Sequence, residues 1–101
     1  MPLRMELRSR SGDVLGVTGE TYDSIDAMLP EVAADEFPLL AGVDRYENAI
    51  FNRIQMPRLG RELARLLDGA PERLAKMLRA LIDLCEMGSQ IPDSQLWFIA
   101  D

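Results

Sequence analysis

Apolar and charged side chains alternate at the start of the chain, in the order Leu3, Arg4, Met5, Glu6, Leu7, Arg8. A period of two is typical of a β-strand that is buried on one face only. Ser11-Gly12-Asp13 has the residue types of a tight turn, and a short apolar run follows it. We therefore predict a β-hairpin over residues 3–18, with a β-bulge at Gly16 in its second strand.

The spacing changes to that of helices in the second half of the chain. A first helix is predicted after Asn52 and Gln55, which have the spacing of a capping box. Pro57 fits only the first turn of this helix, and Gly69 is expected to end it. Its apolar face consists of Leu59, Leu63, Leu66 and Leu67.

A second helix is predicted over residues 71–87, opened by Pro71 and ended by Gly88. Its apolar stripe consists of Leu74, Met77, Leu78, Leu81, Ile82 and Cys85. The short link after Gly69 makes the two helices an antiparallel helical hairpin.

Four consecutive apolar residues, Leu96 to Ile99, predict a buried strand over residues 95–100 that closes the sheet. Trp97 and Phe98 are adjacent, so a strand sends them to opposite faces. The middle of the chain is irregular, with a short helix expected around Ile25 and a short strand or packed loop around Ile50 and Phe51. The fold class is therefore α+β: a small antiparallel sheet, made of the N-terminal hairpin and the C-terminal strand, packed against an αα-hairpin.

Composition limits both the architecture and the compartment. With 101 residues and 48% hydrophobic residues, the chain is expected to form a single domain, 1–101, with its own core. The single cysteine excludes an intramolecular disulfide, and no apolar stretch has the length of a signal peptide or a membrane span, so we expect a cytoplasmic protein. A net charge of −6 argues against nucleic acid or an anionic membrane as the partner.

The chain offers few side chains that are suited to catalysis. The chain has no histidine, which removes histidine-activated nucleophiles and the commonest metal ligand. Cys85 lies on an apolar stripe, where packing into the core is favoured over nucleophilic chemistry. Paired carboxylates, such as Asp23 with Asp26 and Asp35 with Glu36, leave a metal binder or a carboxylate-dependent hydrolase as an alternative, but no calcium-loop pattern is present. We therefore expect no enzyme activity, no cofactor and no metal.

Charge is sorted along the chain, acidic over residues 20–47 and basic over residues 53–79. Such a field can steer a charged partner. The leading hypothesis is a protein-binding module, with a regulatory or toxin-neutralising role, that captures a basic protein. Its candidate contact residues are Asp23, Asp26, Asp35, Glu36, Asp44 and Tyr46.

Two further interpretations remain open. Self-association into a homodimer would use an exposed sheet edge together with Trp97 or Phe98. Arg58, Arg61 and Arg65 share one helix face, with Glu62 interleaved between them. This pattern favours the solvated side of an amphipathic helix over an anion or nucleic-acid contact.

Three stretches of the chain form a further pattern: Phe37-Pro38-Leu39-Leu40 with Gly42 and Asp44-Arg45-Tyr46; Phe51-Asn52 with Gln55; and Leu96-Trp97-Phe98-Ile99-Ala100-Asp101. Together they resemble a group of short, functionally uncharacterised bacterial proteins. The resemblance covers roughly residues 37–101. It implies a defined structure for residues 44–55 and brings no activity or catalytic residue with it.

Overall fold

A computed structural model of the chain describes residues 4–18, 34–43 and 47–99. Its elements in chain order are β1 (Arg4–Arg8), β2 (Val14–Thr18), a 3-10 turn (Leu40–Gly42), β3 (Ala49–Asn52), α1 (Met56–Leu67), α2 (Glu72–Ser89) and β4 (Gln95–Ile99). These elements confirm the predicted α+β class. The short helix expected around Ile25 lies outside the described residues.

The strands form one antiparallel sheet in the order β2-β1-β4-β3. The N-terminal hairpin is confirmed, and so is its bulge. Leu7 pairs with Gly16 but Arg8 pairs with Val14, which leaves Leu15 as the extra residue of β2. β4 lies inside the sheet, between β1 and β3, so the first and last strands of the chain are direct neighbours.

Both helices cover the same side of the sheet. α2 lies against β1, β2 and β4, and α1 packs alongside α2. The sheet contributes Met5, Leu7, Phe51, Leu96 and Phe98 to the core, all of them buried. The Phe51 and Phe98 rings meet edge to face with centroids 5.4 Å apart, a favourable aromatic geometry.

The sequence predicts β4 as a buried strand, and the structure buries it fully on one face only. Leu96 and Phe98 are fully buried, whereas Trp97 and Ile99 are only half-buried. The reason is that α1 and α2 lie on the same face, so every second residue of this central strand points away from them. Trp97 and Phe98 do lie on opposite faces, as predicted.

The prediction that Gly88 ends the second helix is wrong, because α2 continues past it to Ser89. A Cβ at this position would overlap the Met56 sulfur and lie 2.8 Å from Leu7 Cδ1. Gly88 therefore lets α1, α2 and β1 approach one another closely in the core, and it does not end the helix.

The entry to α1 agrees with the sequence. The Asn52 N–H donates to the Gln55 side chain at 2.9 Å, and the Gln55 N–H donates to the Asn52 side chain at 2.9 Å. Pro57 falls in the first turn of the helix, as expected. The helix ends at Leu67, followed by Gly69 with φ of +87°.

Candidate functional site: an open sheet face and an arginine groove

Among residues 4–18, 34–43 and 47–99, no helix or strand lies over the side of the sheet that faces away from α1 and α2. The strand registers align Val17, Glu6, Trp97 and Ile50 in one row across the four strands on this side. Val17 is 50% exposed and Ile50 is 45% exposed, while Trp97 is half-buried. We refer to this row with the flanking Arg4 and Arg8 as the open face.

Glu6 organises the charged part of the open face. Its carboxylate accepts from Arg4 Nε at 2.9 Å and from Arg8 Nη2 at 3.0 Å, and Glu6 itself is buried beneath these arginines. The Arg8 guanidinium also lies over the Trp97 ring, 4.4 Å from the ring centroid. This distance is within the range of a cation–π contact. Arg8 is therefore fixed by a carboxylate and an aromatic ring together.

A second surface lies between α1 and the segment 34–40. Glu62 of α1 is buried, and its carboxylate accepts the backbone N–H groups of Leu39 (3.2 Å) and Leu40 (3.0 Å). These bonds hold the start of the 3-10 turn against the helix. They also leave a groove of about 540 Å³ lined by Pro38, Arg58, Arg61, Glu62, Ala64 and Arg65, which we name the arginine groove.

One arginine of this groove is held in place and two are not. Arg65 donates to the backbone carbonyl of Glu36 and stacks on the Phe37 ring, with its guanidinium carbon 4.9 Å from the centroid. Arg58 and Arg61 are exposed, and within the described part of the chain neither forms an ion pair with a carboxylate.

Two of the predicted contact residues can be located. Asp35 and Glu36 are exposed on a turn next to the Arg65 end of the arginine groove. The ion pairs among residues 4–18, 34–43 and 47–99 do not join either acid to the arginines of α1. Asp23, Asp26, Asp44 and Tyr46 lie outside the described residues.

Cys85 is buried in the core, as the sequence predicted, and is 2% exposed. Desolvation by burial raises the pKa of its thiol to about 12. A thiol in this state has almost no thiolate at neutral pH, so it is not an activated nucleophile.

Acidic, histidine and cysteine side chains of the described segments form no group of three or more that would suit a metal ion. The alternative of a metal binder or a carboxylate-dependent hydrolase stays a prediction. Nor does any helix within those segments combine the length and apolarity that crossing a membrane requires.

Sequence reasoning missed the part played by Glu62. It placed Glu62 among the arginines of a solvated helix face, whereas the structure buries it against Leu39 and Leu40. The available signal was its position at the border between the arginines and the buried Leu59 and Leu63. Its partners lie 22 and 23 residues earlier in the chain, and helical periodicity carries no information about them.

Comparison with known proteins adds no relative to these observations. No protein-family model matches the chain, and neither a curated protein nor a solved structure shows significant similarity to it. Function must therefore be inferred from the two surfaces themselves.

Proposed function

We propose that this chain is a small, non-enzymatic protein-binding module that takes its partner on the open face. The observation that carries the proposal is the row of Val17, Glu6, Trp97 and Ile50, three of them apolar, which crosses the sheet on the side opposite α1 and α2. Exposed apolar side chains, an aromatic ring and ordered arginines on one face have the make-up of a protein interface.

The geometry around Trp97 strengthens this proposal. Tryptophan and arginine are the residues most enriched among those that dominate binding energy at interfaces. Here Arg8 and Trp97 are already stacked on each other, and Glu6 already holds Arg8. Side chains that are ordered before binding lose little conformational entropy when a partner arrives.

The net charge of −6 gives this module a long-range preference for a basic partner. Asp35 and Glu36, both exposed, are suited to that role. Asp23, Asp26, Asp44 and Tyr46 remain proposed contact residues. A module that works by covering a basic partner's surface in the cytoplasm would serve as a regulatory or toxin-neutralising accessory protein.

Self-association is the second candidate, because β2 lies at the edge of the sheet and exposes Val14 and Val17 there. Strand spacing and rise give a sheet of this size a footprint of about 300 Å². A stable interface needs about 800 Å² from each partner. Two copies stacked through the open face alone would therefore associate weakly.

The test compares two double variants that carry the same number of new lysines. Val17→Lys/Ile50→Lys changes the open face, and Ile54→Lys/Met87→Lys changes exposed apolar residues elsewhere. In pulldowns from native lysate at low and high salt, we expect wild type and the control variant to retain a common protein that the open-face variant loses. Equal retention by both variants, or no specific protein with wild type, would contradict the proposal.

A further inference from the structure

We propose that the arginine groove is a second binding site, which takes an extended acidic peptide segment of a protein partner. The groove lies on α1, on the helical side of the fold, and the open face lies on the other side of the sheet. This site is therefore separate from the open face, and either surface could be occupied without the other.

The length of the groove selects the kind of ligand. From Arg58 to Arg65 the helix rises about 10 Å. About three residues of an extended peptide cover this length, whereas a single phosphate group covers only one end of it.

The cations of the groove are available to a ligand. Among the described residues, Glu62 is the one acid that lines the groove, and its carboxylate is occupied by the N–H groups of Leu39 and Leu40. Arg58 and Arg61 make no ion pair within the described residues. Their guanidinium groups can therefore offer paired N–H donors to a carboxylate, the geometry in which arginine binds most strongly.

The two ends of the groove differ in charge. At the Arg65 end, the exposed Asp35 and Glu36 would repel a carboxylate, and Arg65 is already bonded to the Glu36 carbonyl. We therefore assign the acidic side chains of the ligand to Arg58 and Arg61. The remaining wall, formed by Pro38 and Ala64, is suited to the aliphatic parts of the peptide.

The experiment measures the anisotropy of a fluorescein-labelled hexaglutamate peptide with the full chain at low ionic strength. Arg58→Glu/Arg61→Glu reverses the groove charges, and Arg53→Glu/Lys76→Glu makes the same charge change at exposed sites outside the groove. We expect the control to bind like wild type and the groove variant to bind on the order of 100-fold more weakly, because each lost charged hydrogen-bond partner removes about a factor of ten.

A second variant and a second probe distinguish recognition of carboxylates from general attraction of negative charge. Arg58→Lys/Arg61→Lys retains charge and helix propensity, and we expect a clear loss of affinity because lysine lacks the paired donors. The proposal is overturned if hexaglutamate does not bind wild type, or if the control variant weakens as much as the groove variant. It is also overturned if an oligothymidylate of equal charge binds as tightly, since the groove would then attract any polyanion.

Discussion

Glu62 in α1 accepts a hydrogen bond from the backbone N–H of Leu40 at 3.0 Å, across 22 positions of the chain. The Leu39 N–H donates to the same carboxylate. A buried carboxylate is costly unless it is hydrogen-bonded, and these donors provide that compensation. The arginines of α1 line a groove, and not a bare helix face, because this contact holds Pro38 beside them.

Replacement of Glu62 is expected to loosen this contact. Glu62→Ala removes the acceptor and leaves the Leu39 and Leu40 N–H groups without it, so we expect a loss of about 1–3 kcal/mol in the free energy of unfolding. Glu62→Gln keeps one carbonyl acceptor and should lose less. Urea titration measures both, and Glu86→Gln, an exposed change on α2, serves as the control.

Amide hydrogen exchange separates this mechanism from general destabilisation. Glu62→Ala should increase the exchange rates of the Leu39 and Leu40 amides more than those of amides in the centre of the sheet. A uniform increase over the whole chain would contradict a local role for Glu62.

The two glycines within the helices give a matched pair. A Cβ at Gly88 would lie within 3 Å of Met56 and Leu7 side-chain atoms, whereas a Cβ at Gly60 would meet Cys85 Cβ at an ordinary 3.7 Å. Gly88→Ala should therefore cost about 1–3 kcal/mol through overpacking. Gly60→Ala should be neutral or stabilise by about 0.5–1 kcal/mol, because alanine favours the helix. Thermal unfolding measures both, and equal effects would contradict the packing role of Gly88.

Burial of Cys85 predicts a loss of stability in alkali. Its thiol has an ordinary pKa of 9.0 and a pKa of about 12 in the fold, so above pH 9 the unfolded chain ionises while the folded chain does not. The raised pKa contributes no destabilisation below pH 9, and stability falls as pH rises from 9 toward 12. At pH 11 the loss amounts to roughly 2–3 kcal/mol.

The Cys85→Ala variant isolates this contribution, because the other alkaline titrations are common to both proteins. The difference in unfolding free energy between wild type and variant should be constant up to about pH 9 and then shrink. A difference that stays constant up to pH 11 would show that the thiol ionises equally well in the fold.

The small size of the open face predicts weak self-association. Sedimentation velocity should show a monomer at concentrations up to about 100 μM, because the sheet offers less area than a stable dimer needs. A stable dimer at about 1 μM that Val17→Lys/Ile50→Lys dissociates would favour the homodimer over a different partner.

Local patterns predicted the elements, and contacts between distant residues account for what they missed. The alternation at Met5 and Leu7 and the leucine spacing of α1 each describe a single element, and both were confirmed. The roles of Gly88 and Glu62 depend on residues from other elements, Met56 and Leu7 in one case and Leu40 in the other. Single-element periodicity does not encode such neighbours.

The two candidate surfaces likewise combine features that follow from local patterns with features that depend on contacts between elements. Opposite orientation of Trp97 and Phe98 follows from the period of a strand, and it was predicted. Which of the two faces solvent depends on the side that the helices cover, and that side is set by the packing of α2 on β1 and β4. The arginine groove likewise needs Pro38 and α1 together, so the arginines alone indicated only a helix face.

The pairing of β1 with β4 has a consequence for synthesis on the ribosome. Residues 4–8 leave the ribosome well before Gln95–Ile99, the strand that lies beside them in the sheet. Until β4 has been synthesised, this side of β1 is an open backbone edge, the kind of edge that pairs with other chains or is covered by chaperones. Synthesis of β4 therefore determines when this edge is closed within the chain.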